Sequence, residues 1–128
     1  MERSVMVVRY PEMRINVRAA AADLADEAFH ADIWANPRKP TPDSRFQFQE
    51  AVSYIVDDLG ISKPETLIGD VFADGREFAA FEDLSGALNL VLRGIGSSGT
   101  YAEAAATPEW NQVRSAARAL VQVLGRSG

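Results

Sequence analysis

The chain has no cysteine and only one histidine in 128 residues. Without thiols there is no disulfide, no cysteine nucleophile and no cysteine-ligated zinc or iron–sulfur cluster. Such a composition fits a reducing compartment, and a cytoplasmic protein is expected. Long apolar runs are missing too. Ser4 to Val8 is the one apolar stretch near the start. It is too short for a signal-peptide core, and nothing approaches the roughly 18 residues of a membrane span. No membrane partner is expected.

Catalytic signatures are equally scarce. No Gly-x-Ser-x-Gly elbow occurs, and a Ser–His–carboxylate triad would have to use His30. Gly94-Ile95-Gly96-Ser97-Ser98-Gly99 matches a phosphate loop in composition alone. It follows a helical pattern instead of a strand, and no Lys-Ser/Thr pair comes after it. Glu27-Ala28-Phe29-His30 has the spacing that puts a carboxylate and an imidazole on one helix face. Di-iron bundles need two such motifs and two further glutamates. The bland reading is a surface or half-buried imidazole near the end of a short helix, where its cationic form suits the dipole. No catalytic residue, metal ligand or cofactor is assigned, and the chain is not expected to be an enzyme.

What the sequence has in quantity is helical punctuation. Pro11 opens a first helix with Met13, Val17, Ala20, Ala21 and Leu24 on one face. Asp26 caps a second, carrying Phe29, Ile33 and Trp34. One continuous helix from Pro11 to Ala35 is the alternative. Asn36 to Asp43 holds three prolines, which excludes a helix interior and predicts an ordered surface loop. Asp43 or Ser44 caps a third helix with Phe48, Val52, Ile55, Val56 and Leu59 inward, ending at Gly60. A short fourth runs from Pro64 to Phe72. Asp74-Gly75-Arg76-Glu77 is a capping box for a long fifth, with Phe78, Phe81, Leu84, Leu88, Val91 and Leu92 at helical spacing. Gly94, Gly96 and Gly99 end it. Thr100 to Glu103 is a second capping box. Thr107-Pro108-Glu109 opens the last helix and Gly125 closes it, with Trp110, Val113, Ala117, Leu120, Val121 and Leu124 on one face. The sum is an all-α single domain over residues 1–128, a compact bundle of six or seven helices. Ser4 to Val8 is the only candidate strand, and it has no partner strand.

Charge is unevenly placed. Residues 23–83 carry 14 acidic and five basic side chains, a balance of −9, while the stretches on either side are each +2. An acidic middle disfavours phosphate-backbone binding, so no nucleic acid is expected, and it suits a basic protein partner. Asp57-Asp58 sits in the last turn of the third helix, where carboxylates oppose the dipole. Either an internal hydrogen bond or arginine offsets this, or a cation or basic partner does. Trp34 and Trp110 read as core anchors. Trp34 adjoins the proline-rich loop, where it either packs the loop down or stands exposed beside Arg38 and Lys39.

Several motifs read together are familiar. Tyr10-Pro11-x-Met13-Arg14 is followed by Asp26, Phe29 and Ile33-Trp34. Then come Val56-Asp57-Asp58, Pro64 with Gly69-Asp70-Val71, and Thr107-Pro108-Glu109-Trp110. Their order resembles a small family of uncharacterised all-helical actinobacterial proteins, over nearly the whole chain. Glu27 stands where that pattern has proline, and Phe29 where it has tyrosine. The resemblance implies a single helical cytoplasmic domain and marks Trp34, Asp57, Asp58 and Gly69 as matching positions.

The leading expectation is a non-enzymatic interaction protein, immunity- or regulator-like, binding through its acidic surface. Asp57 and Asp58 would attract and orient the partner, with Trp34 and Arg38 at the edge. The alternatives are a carboxylate-based metal-dependent hydrolase using Asp57, Asp58 and Asp70, and a self-associating structural protein, since a homo-oligomer is compatible with this sequence.

Overall fold

A computed structural model describes residues 8–36, 38–43, 45–58, 64–96 and 99–127. The side chains of 57, 58, 64–66, 126 and 127 are outside that description. The fold is all-α. In chain order the helices are α1 (Pro11–Ala25), α2 (Glu27–Phe29), α3 (Phe48–Ser53), α4 (Pro64–Asp70), α5 (Gly75–Ile95), α6 (Tyr101–Ala105) and α7 (Trp110–Ser127). Two wider π-helical turns extend α2 and α3, His30–Trp34 and Tyr54–Asp58. No described helix is long and apolar enough to cross a membrane.

The long helices α5 and α7 form the largest interface, and α1 packs on α7. α3 and its π-helical extension close the core against α1 and α5. Val17, Ala20, Ala21 and Leu24 of α1 are buried with Phe81, Leu84 and Leu88 of α5 and Val113, Ala117 and Leu120 of α7. The alanines let the helices approach closely, and each buried leucine or phenylalanine contributes at most about 1.5–3 kcal/mol.

Local grammar predicts the starts well where capping is self-contained. Asp26 breaks the chain after α1, and its carboxylate accepts from the Phe29 N–H at 3.1 Å. Asp74 accepts from the N–H groups of Arg76 and Glu77, and Thr100 forms the full capping box with Glu103. Other boundaries move. Asp43 and Ser44 do not begin α3, which starts at Phe48 after Gln47, whose N–H donates to Glu50 at 3.0 Å. The reason is tertiary: both backbone groups of Phe46 are taken by other elements, as described below. Thr107 does not open α7; its hydroxyl turns back to the Ala104 carbonyl at 2.7 Å, and the helix begins at Trp110. Gly125 does not stop it either, because α7 continues to Ser127. Gly94 lies inside α5, and Gly96, at φ +88°, takes the left-handed stop. Leu59 and Gly60 lie outside the described residues.

α4 kinks earlier than its predicted end at Phe72. Ile68 is extended and Gly69 takes φ +100°, a conformation costly for any residue with a Cβ. The kink exposes carbonyls that the N-terminal segment uses: Arg9 N–H donates to Gly69 O at 2.8 Å and Tyr10 N–H to Asp70 O at 2.7 Å. Arg9 and Tyr10, at the entry to α1, are thus paired with a helix-terminating turn. Ser4 to Val7 lie outside the described residues.

One buried ion pair ties this region to the bundle. Glu77 is 0% exposed, yet its carboxylate receives two nitrogens of Arg14 at 2.5 and 2.8 Å and the Ala73 N–H at 2.7 Å. Arg14 also donates to the Val71 carbonyl at 3.1 Å. Glu77 is thus more than a capping residue: it links α1, the turn after α4 and α5. Removing one member leaves a desolvated charge. Glu77→Ala is expected to cost about 3–5 kcal/mol of unfolding free energy, and Asp74→Ala, which removes the cap and an exposed 3.8 Å contact with Arg76, about 1 kcal/mol. Urea denaturation of both variants checks this; equal losses would contradict it.

Candidate functional site

α1 ends on a carboxylate in an unfavourable place. Asp23 is 5% exposed and sits in the last turn, against the negative end of the helix dipole. Two donors reach the carboxylate and offset this. Arg45 Nε reaches Oδ1 at 2.6 Å and the Phe46 N–H reaches Oδ2 at 2.8 Å. The Asp23 carbonyl accepts from His30 Nε2 at 2.6 Å, which puts the imidazole proton on Nε2. Arg45 continues to Asp26 Oδ2 at 2.9 Å, and its guanidinium lies over the Phe29 ring, 3.7 Å from the centroid. The Trp34 indole N–H then donates to the Phe46 carbonyl at 3.0 Å. Phe46 is held at both its N–H and its C=O, and the loop that arrives there is pinned to the bundle.

An aromatic cluster grows from the same contacts. His30 stacks on Trp34 with ring centroids 4.4 Å apart and planes 7° from parallel. Tyr101 and Trp110 approach the imidazole at 5.4 and 5.7 Å. Phe48 packs edge-on against Trp34 at 5.5 Å. His30 is 1% exposed. The expected surface or half-buried imidazole is therefore wrong; the ring is enclosed, and its partner is a carbonyl on α1. Glu27, four-fifths of a turn away, faces outward and pairs with Arg114 instead. Among the described residues no three His, Asp or Glu side chains gather as metal ligands.

Above this cluster lies a cleft of about 440 Å³ between the proline-rich loop, the start of α3 and the start of α6. Trp34, Phe48 and Tyr101 form its floor. Asn36, Thr41, Gln47, Gln49 and Thr100 supply amides and hydroxyls around it, and Lys39 supplies one cation, bonded to Asp32 at 2.5 Å. Among the described residues no carboxylate lines it.

A family model described as Domain of unknown function (DUF7945) matches residues 8–127. The chain belongs to that family. No curated protein and no solved structure matches the chain. Within this DUF7945 domain, Asp23, His30, Trp34, Arg45 and Tyr101 all fall inside the matched span.

Of the residues singled out from sequence, Trp34 lines this cleft and Arg38 does not. Trp34 is its floor, fixed by its N–H bond and its neighbours, and is not an exposed anchor. Arg38 is exposed on the loop beside Lys39, its N–H on Asn36 Oδ1 at 3.3 Å. Asp57 and Asp58 occupy the π-helical turn after α3, and their side chains lie outside the described residues. Sequence reading passed over Asp23, Arg45, Tyr101 and Gln49. Asp23 carried a usable signal, since an acid in the last turn of a predicted helix was the same anomaly noted at Asp57-Asp58.

Burial holds the His30 pKa below its ordinary 6.5, against the pull of the Asp23 carbonyl and Asp26. The Phe29 N–H, opposed by burial and helped by Arg45, lowers Asp26 below 3.8. Burial raises the Tyr101 hydroxyl above 10.0. For His30 the unfolded chain binds the proton more readily than the folded one. Its contribution to stability is complete above pH 6.5 and declines as the pH falls below that value. Asp26 gives a second, separate decline below pH 3.8. In a chemical-denaturation series over pH, His30→Gln is expected to flatten the first decline and leave the second. A first decline that persists in His30→Gln would remove the imidazole as its source.

Proposed function

We propose that this DUF7945 protein is a non-enzymatic protein-interaction protein of the regulator or immunity type, which takes a polar, extended segment of its partner in the cleft over Trp34 and Tyr101. The observation that carries this reading is the chemistry of the cleft. Asn36, Gln47 and Gln49 bring side-chain amides, and Thr41 and Thr100 bring hydroxyls, to the rim of an aromatic floor. Amides both donate and accept, so they suit a peptide backbone, while ring faces suit proline and aliphatic side chains. The Trp34 side chain is already oriented by its hydrogen bond and its stacking on His30, which lowers the ordering cost of binding.

The disposition of titratable groups supports the same reading. Asp23, Asp26, Glu27, Asp32, Asp74 and Glu77, six of the 14 acidic residues between 23 and 83, are in ion pairs within the chain. The buried acids Asp23 and Glu77 hold arginines, and His30 is enclosed by rings, so these three serve the fold. Asp57 and Asp58 would steer a basic partner, with Arg38 on the loop beside the cleft. The setting we assign is the cytoplasm, and the motif pattern points to an actinobacterial source.

Thr41→Trp tests the cleft directly, because it fills the space from a loop position. Partner recovered by pull-down with wild-type protein should bind this variant at least about tenfold more weakly, at an unchanged melting temperature. Asp57→Asn/Asp58→Asn, measured at low and high salt, separates the steering role: loss here alone would move the site to the Asp pair. Binding indifferent to Thr41→Trp would refute the cleft.

A further inference from the structure

α5 carries an outward stripe that its own fold leaves uncovered. Asp83, Gly86, Leu90 and Arg93 are all exposed and follow one another at intervals of three, four and three residues. That interval keeps them on one side of an α-helix. Leu90 is 46% exposed, a ridge between two hollows. The hollow on one flank, about 610 Å³, lies over Gly86 between Asp83 and the Ser115–Ala116 step of α7. The one on the other flank, about 440 Å³, runs from Gly86 past Asn89 to Arg93.

Gly86 is the residue the monomer does not explain. It stands inside a 21-residue helix, where glycine is less favourable than alanine. A Cβ built there would meet nothing within 4 Å. Asp83 and Arg93 are likewise unused, for neither is in an ion pair among the described residues.

We infer that this stripe is the interface of a homodimer, in which α5 pairs antiparallel with α5 of a second copy about a two-fold axis. The register follows from the numbering. Across such an axis, paired positions keep a constant sum. Setting Leu90 of one copy into the space over Gly86 of the partner subunit also sets Asp83 opposite Arg93 of the partner subunit. One register therefore seats both apolar knobs and forms both ion pairs, as an isologous interface requires. A parallel pairing would place Asp83 against Asp83 and Arg93 against Arg93, which repels. The charge complementarity selects a second copy of this chain as the occupant and selects its direction. The face is separate from the Trp34 cleft, so this inference stands independently of the proposed partner there.

Sedimentation velocity over a concentration series tests it. The wild-type chain should dimerise reversibly. Asp83→Arg and Arg93→Asp should each weaken the dimer at least about tenfold, through two repulsive pairs apiece, and the double variant Asp83→Arg/Arg93→Asp should restore it. Leu90→Ser and Gly86→Gln should also dissociate it, and their helical circular dichroism shows whether each remains folded. They decide the matter if a charge variant does not fold. A wild-type chain that stays monomeric at its highest soluble concentration overturns the inference. So does a dimer whose affinity ignores the single swaps, or one that the double swap fails to restore.

Discussion

The candidate site rests on the satisfaction of one carboxylate. Asp23 cannot be buried at the C-terminal end of α1 unless donors come to it, because an uncompensated buried charge costs several kcal/mol. Arg45 and the Phe46 N–H are those donors. They lie beyond the proline-rich loop, so meeting the demand of α1 forces the loop to fold back across α2. Once Phe46 is in place, its carbonyl is where the Trp34 indole finds its acceptor. Position of loop, orientation of Trp34 and shape of the cleft thus descend from one local electrostatic debt.

The acidic pattern of the sequence has a different meaning in three dimensions. Read linearly, residues 23–83 look like a solvated anionic face. In the fold, two of those acids are buried and several others are bound to cations of the same chain. Charge balance per segment cannot reveal this, because the cations arrive from far away in sequence. Arg14 precedes Glu77 by 63 residues, and Arg45 follows Asp23 by 22.

The legibility of the fold follows the same division between local and distant causes. Asp26, Asp74 and Thr100 were readable because an N-cap is satisfied within three residues of itself. The helical faces of α1, α5 and α7 were readable because burial repeats with the helix turn. The start of α3 was not, since Phe46 is held by Asp23 and Trp34 and cannot join a helix begun at Asp43 or Ser44. Nor was the environment of His30, which is enclosed in part by rings from α6 and α7 that no window around residue 30 contains. The cleft was legible only at Trp34 and the proline-rich loop beside it. Its opposite wall comes from Gln49, Thr100 and Tyr101, which nothing local associates with the loop.

The two surfaces bear on one another through stoichiometry. The cleft is built over a side chain whose contacts are already made: Trp34 is hydrogen-bonded and stacked, and the loop beside it carries prolines. Little ordering remains to be done on binding, so modest contacts suffice there. A two-fold pairing through α5 would then present two such clefts on one particle. A partner that is itself dimeric, or that carries two copies of the recognised segment, would convert its second contact into an intramolecular one, with gain set by the span between clefts. Rigid clefts on a symmetric particle favour such geometry, because the span is fixed by helix packing and not by a flexible tether.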